Sequence, residues 1–402
     1  MELFLNKFLS NIPVRKTAYH QTAGYSYATT LQSPDKDTFV KGAEPCFTGK
    51  RGSGSTKKGD VLKELNNITC PYSGVKMIPS KTMDRIENKL SKCNTIQERM
   101  EILEMYKSSM QKLEKQMFSI FKGYEINYPD GSLNECLLQL YPDALAELKI
   151  EQLKVLDSVD KISNKMDAKT ALEVRKITTE ARGKIIHDDP YVHERNPKAR
   201  TEDHIFKRKD LLLNLKEATS EKIPEALFNE MWDAASKLPK SSTNLNAFIV
   251  KYADRSPNEI AARLLRPSVA SIEHIRPANP DSEEIEAGEN ELWNFMLTSR
   301  DWNSGRGNTP LPEFVKSHPS VPKYSQRYID DIIKSIHKDI LQDCDWYPFV
   351  IKEKLFNESQ GLIDVNLNKY RKTEEEAFAN AKPEVIDVYN DLLEKNADIR
   401  KA

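Results

Sequence analysis

Thr95-Ile-Gln-Glu98 constrains the fold of this chain more than any other short run in it. A Thr three residues ahead of a Glu lets the hydroxyl accept from the Glu backbone N–H while the carboxylate reaches back, so a helix begins there. Ile96, Met100, Leu103, Tyr106, Met110, Leu113, Met117 and Ile120 follow at helical spacing until Gly123, which predicts one long amphipathic helix. Asp143 opens a second, with Leu145, Leu148, Leu153, Leu156, Val159 and Ile162 inward, and a connection containing Gly and Pro pairs the two antiparallel. Met and Tyr on such a stripe are core residues. Further helices are expected at 168–186, 207–217, 223–237, 243–253 and 257–265, the last with Ser256-Pro257 as cap and first-turn pair. Three more are expected at 324–341, 346–357 and 374–395. The fold class is therefore mainly α, without an internal repeat.

Composition agrees with that and narrows the environment. A chain of 402 residues holds two or three domains, and 39% hydrophobic with 30% charged residues fits a soluble, helix-rich protein. The first ten residues lack a basic lead and a continuous apolar core, so no secretory signal is expected, and no stretch is long enough to span a membrane. Cys46, Cys70, Cys93, Cys136 and Cys344 are scattered, with no Cys-x-x-Cys pair, which predicts free thiols in a reducing cytoplasm and no structural zinc. With a net charge of −1, nucleic acid can be held only by local basic surfaces.

One stretch departs from the helical pattern. Val269 to Glu273 is a short β-branched and apolar run, read as a strand that delivers His274 at its exit, before Pro277. Asn294 to Leu297 is a second such run, and Ser299 is a fair N-cap for a helical turn through Asp301, Trp302 and Asn303. Two strands and a helix would bring these polar residues together. They are the types that one-metal phosphodiester hydrolysis needs. A hard divalent cation, Mg²⁺ or Mn²⁺ with one per site, takes a few carboxylate or amide oxygens and keeps several waters, so Glu273, Asn303 and Asp301 are candidate ligands. His274 is the candidate general base, because imidazole titrates nearest neutrality. Arg276, Arg300 and Arg306 are candidate phosphate contacts.

Glu273-His274-Ile275-Arg276-Pro277, Asn294-Phe-Met-Leu297-Thr298 and Asp301-Trp-Asn303-Ser-Gly305 together resemble the HNH (His-Me finger, ββα-metal) nucleases, most closely the HNH domain of RNA-guided CRISPR effector nucleases. The resemblance implies that Glu273 and Asn303 hold the metal, that His274 is the base, and that Asn294 holds the His-bearing loop in shape. Cys70-Pro-Tyr72-Ser73-Gly74-Val-Lys76-Met-Ile78 resembles the hairpin that precedes the catalytic strand in many of these proteins. The chain departs from the family pattern in two places. Its acidic residue is Glu where Asp is commoner. About 200 residues separate Gly74 from Ser271 where relatives need a few tens, so either an insertion splits the module or the Cys70 match is accidental.

Competing features are weaker. A lone His beside a Glu at a strand end is usually a surface or core residue; the spacing of Asn294 and Asn303 is what favours the nuclease fold. Trp293 and Trp302 read as core packing. Gly49 to Thr56 approaches a phosphate-binding loop, but Ser55 stands where its Lys should be, so a flexible basic loop is expected. His187, His193 and His204 lack zinc spacing. Arg175 to Lys209 is rich in Lys and Arg, and Lys207 and Arg208 are its candidate nucleic-acid contacts.

The expected organisation is an irregular segment at 1–80 ending in the 68–80 hairpin, a helical domain or insertion at 81–265, an embedded ββα-metal (HNH) unit at 266–320, and a helical region at 321–402. The expected function is a metal-dependent endonuclease acting on DNA in phage defence or restriction, with RNA as the alternative substrate. An ATPase or targeting subunit of a defence complex is a compatible partner. The rival expectation is a non-catalytic scaffold with a degenerate HNH fold.

Overall fold

A computed structural model describes residues 59–187, 206–280, 286–336 and 344–401. The Gly49–Thr56 loop and His193, Arg195, Lys198, Arg200 and His204 lie outside the described residues.

Helices dominate. After α1 (Ser80–Leu90), Thr95 and Glu98 make both halves of the expected capping box and open α2 (Ile96–Met105). The single long helix predicted from there is two helices, because a 3-10 turn at Lys107–Ser109 intervenes before α3 (Lys112–Asn127). Ser108 and Ser109 favour turns by hydrogen-bonding to nearby backbone. The apolar spacing persists across the break because Met110 is still buried. The second long helix, α4 (Leu133–Ser163), begins well before Asp143, under a capping box of Ser132 and Glu135, and contains Pro142. A proline inside a helix loses one backbone bond and costs about 3 kcal/mol; the packing of α4 offsets that.

The next five helices fall close to expectation: α5 (Ala168–His187), α6 (Arg208–Thr219), α7 (Glu225–Ser236), α8 (Leu245–Tyr252) and α9 (Pro257–Arg263), the last capped by Ser256 with Glu259. Then come β1 (Ala270–His274) and β2 (Phe295–Ser299), the only sheet among the described residues, followed by α10 (Arg300–Arg306) and α11 (Leu311–Ser317). Helices α12 (Val321–Ile336), α13 (Tyr347–Glu358), α14 (Arg371–Ala379) and α15 (Pro383–Lys401) complete the described chain. The helix expected at 374–395 is split, and Pro383 opens its second part, where a missing N–H is harmless.

Three apolar cores are nested along the sequence. The first joins Leu62, Leu65, Ile68, Cys70 and Tyr72 to β1, β2 and the helices that follow, as far as Leu392. The second joins α1, α2, α3 and the start of α4 to α8, α9 and Val269. The third lies between the far half of α4 and α5, α6 and α7, ending at Leu238. The chain thus runs from the first core through the second to the third and back again. Helices α12 to α15 of the region expected at 321–402 contribute side chains, from Val321 to Leu392, to the core of the strand pair. Cys70, Cys93, Cys136 and Cys344 are free thiols. No helix among the described residues is long and apolar enough to cross a membrane.

Candidate functional site

β1 and β2 are antiparallel, with Glu273 opposite Met296 and His274 opposite Phe295. Side chains alternate across a strand, so Ser271 and Glu273 share one face of β1 and Ile272 and His274 the other. α10 follows β2 directly. Ser299, expected as its cap, makes no side-chain cap bond; its backbone N–H donates to Cys70 Sγ at 3.4 Å.

That contact brings the 68–78 hairpin to the strands despite the long separation in sequence. Thr69 bridges Lys76 across the hairpin, and Gly74 closes it in the left-handed region at φ 70°. A Cβ there would stand 2.5 Å from the Tyr324 ring. Ile78 then pairs with Val269 at the entry to β1, through Ile78 N–H to Ser268 O at 2.9 Å and Ala270 N–H to Ile78 O at 2.8 Å. The helices between residues 78 and 269 are therefore inserted between two paired backbone positions.

Glu273 is buried, at 4% exposure, and its carboxylate is fully engaged. Tyr72 donates to Oε1 at 3.0 Å, Thr298 donates to Oε2 at 2.9 Å, and Arg306 donates to Oε1 at 2.5 Å. Burial pushes the Tyr72 phenol well above its ordinary range, so it stays a donor. Arg306 has no side-chain exposure. Its other N–H groups donate to His274 O at 2.9 Å, Ile275 O at 2.7 Å and Thr309 O at 3.1 Å. Burial works against its charge, but the acidic groups of Tyr72 and Glu273 hold the guanidinium above its ordinary value. Arg306 is therefore a clamp on the β1 exit. It is not placed to contact a phosphate.

His274 lies at that exit, 8% exposed, edge-on to the Phe295 ring. Its Nε2 is 2.8 Å from Asn290 Oδ1. With an amide oxygen as partner, Nε2 is the donor in this contact. Burial lowers the His274 pKa from 6.5; the Asn290 bond opposes this and Arg306 adds to it. The ring is thus neutral near pH 7.

The loop after His274 is built by Asn294, which is wholly buried. Its Oδ1 accepts from Arg276 N–H at 2.9 Å, and its Nδ2 donates to Arg276 O at 3.1 Å and Glu289 O at 3.0 Å. Asn294 therefore positions the loop, as expected. Gly288 makes this possible: a Cβ there would lie 2.0 Å from Arg276 O and 2.6 Å from Asn294 Nδ2.

Of the remaining candidates, Asn303 is brought to β1. Its Nδ2 donates to Ser271 Oγ and to Ile272 O, both at 2.9 Å. Asp301 is half-buried; burial raises its pKa, and the charges of Arg263 and Arg300 oppose that. Arg276 is paired with Glu358 at 2.7 Å and Glu286 at 2.8 Å. Arg300 is exposed at the start of α10. Lys207 and Arg208 stand at the start of α6, by the third core.

The expected metal ligands do not converge. Glu273 is committed to three donors, one of them a guanidinium, and among the described residues no group of three or more His, Cys, Asp or Glu side chains is placed to hold a metal ion. A hard divalent cation takes several oxygens, and with Glu273 held by Arg306 the expected set does not fit Mg²⁺ or Mn²⁺ as arranged. Asn290, Tyr72 and Thr298 received no role from the sequence. Asn290 sits in a polar run without periodicity, so nothing marked it. Comparison with family models, characterised proteins and solved structures finds no match to this chain.

Proposed function

We propose that this chain is an HNH-type nuclease that hydrolyses DNA phosphodiester bonds with His274 as general base. The observation that carries the proposal is His274 with its Nε2 2.8 Å from Asn290 Oδ1, at the exit of a strand paired with a second strand that leads into a helix. The imidazole would accept a proton from water as the water oxygen attacks phosphorus and the bond to the leaving oxygen breaks. Asn294 and Arg306 would keep the base at a fixed height above the strands, and Arg300 is the exposed cation nearest in sequence to that helix start. Mg²⁺ or Mn²⁺ would enter only if Glu273 left Arg306, so no step is routed through a metal.

A non-catalytic role, as a scaffold that keeps the ββα shape, is favoured by the Glu273–Arg306 pair, because it removes the carboxylate a one-metal site needs. Incubating supercoiled plasmid, single-stranded DNA and RNA with the protein separates the two, each with Mg²⁺, Mn²⁺ or EDTA. The proposal predicts nicking of plasmid. No cleavage of any substrate under any of these conditions contradicts it and leaves the scaffold role. Cleavage of RNA alone corrects the substrate.

A further inference from the structure

The third core carries a cleft that the nuclease site does not use. It encloses 470 Å³ where α4 passes the connection between α7 and α8, within the range of pockets that hold small ligands, roughly 300–1,000 Å³. Lys154, Lys237 and Lys240 line it, and none of the three is paired with a carboxylate among the described residues. Glu151, the one acidic side chain of the lining among the described residues, accepts from Asn244 at 2.7 Å and Asn246 at 3.2 Å.

A fourth cation reaches the same wall from α6. Arg208 donates to the backbone oxygen of Ser236, which lines the cleft, at 3.2 Å, while its buried Nε has no hydrogen-bond partner. Burial holds Arg208 below the ordinary guanidinium value, and burial together with the Arg208 charge does the same to Lys240. Lys154, Lys237, Lys240 and Arg208 outnumber the single Glu151 carboxylate there, and a multiply charged anion relieves their mutual repulsion. The hydroxyls of Ser236 and Thr243 add neutral donors, and Val155, Leu238 and Pro239 add an apolar stretch beside them. The volume and the mixed lining suit a ligand larger than a lone phosphate.

We propose that this cleft binds a nucleoside polyphosphate, with Lys154, Lys237 and Lys240 on the phosphates and the Val155, Leu238 and Pro239 wall against the base. The test is isothermal titration calorimetry of the full chain in EDTA, with ATP, pyrophosphate and a 5′-phosphorylated oligonucleotide as separate titrants at constant ionic strength. Saturable ATP binding is expected, with pyrophosphate weaker. A Lys154→Ala/Lys240→Ala variant should bind ATP at least about tenfold more weakly, as expected for losing charge-assisted contacts. Neither lysine side chain makes a hydrogen bond or ion pair among the described residues, so its melting temperature should match the wild type. His274→Ala should bind ATP as the wild type does, which separates this cleft from the strand-pair site. No saturable ATP binding, equal binding by the double variant, or binding of the oligonucleotide alone overturns the proposal.

Discussion

Arg306 has no side-chain exposure and ties the exit of β1 to α10 through Glu273 and the backbone oxygens of His274 and Ile275. Arginines are seldom buried unless paired, so one in a Gly-rich turn beside a candidate site reads as a phosphate contact. Three positions after Asn303 on one helix, it instead faces the same strand that Asn303 contacts, and it completes Glu273. Breaking a buried ion pair by removing one partner strands the other charge. Arg306→Ala should therefore destabilise the protein by about 3–5 kcal/mol in urea unfolding; a change below 1 kcal/mol would remove the clamp role. For His274, the folded state disfavours the proton, so its pKa lies below 6.5. The unfolded chain binds more protons between the two values, so this contribution to stability is complete above pH about 6.5 and is lost as pH falls through the folded pKa. In the same way, the acid limb of any cleavage profile should lie below pH about 6.5. Asn290→Asp, by placing a negative charge against Nε2, should move that limb to higher pH; an unmoved limb contradicts the Asn290 contact.

At the scale of elements, patterns of local origin were visible and those of tertiary origin were not. The capping box at Thr95 and the Ser256-Pro257 cap are each set within a single turn, and both formed. The strand, strand and helix order around His274 was also visible, from short apolar runs between polar breaks. The true start of α4 was hidden by Pro142, which argues locally against a helix and is overridden by packing on α5, α7 and α8. The 276–294 loop depends on Gly288 through a close approach that no periodicity encodes. Gly288→Ala should force Arg276 and Asn294 apart, costing about 1–3 kcal/mol as overpacking does. It should also lower cleavage more than that loss of stability explains. Thermal unfolding and plasmid nicking of the variant measure both; an unaltered protein would mean that the loop tolerates a side chain there.

Across the whole molecule, the nested cores explain how a hairpin near residue 70 meets a strand near residue 270. Ile78 and Val269 are hydrogen-bonded neighbours, so α1 to α9 leave and rejoin the first core at one place. Sequence separation alone left that open. The third core sits farthest along this path, and it should open locally at lower free energy than the strand pair. Hydrogen exchange should show amides of α5, α6 and α7 exchanging before those of β1 and β2; a single common opening would contradict the nesting as an energetic fact. The proposed chemistry rests on one imidazole at the hub of the first core, and general base catalysis contributes about 10²–10⁴ in rate. The decisive measurement is the nicking rate of supercoiled plasmid by wild type and His274→Ala, with DNA affinity and melting temperature measured on the same samples. A loss of about 100-fold or more in rate, with affinity and melting unchanged, is the predicted result. Cutting by His274→Ala at the wild-type rate would contradict the assignment of His274 as the base.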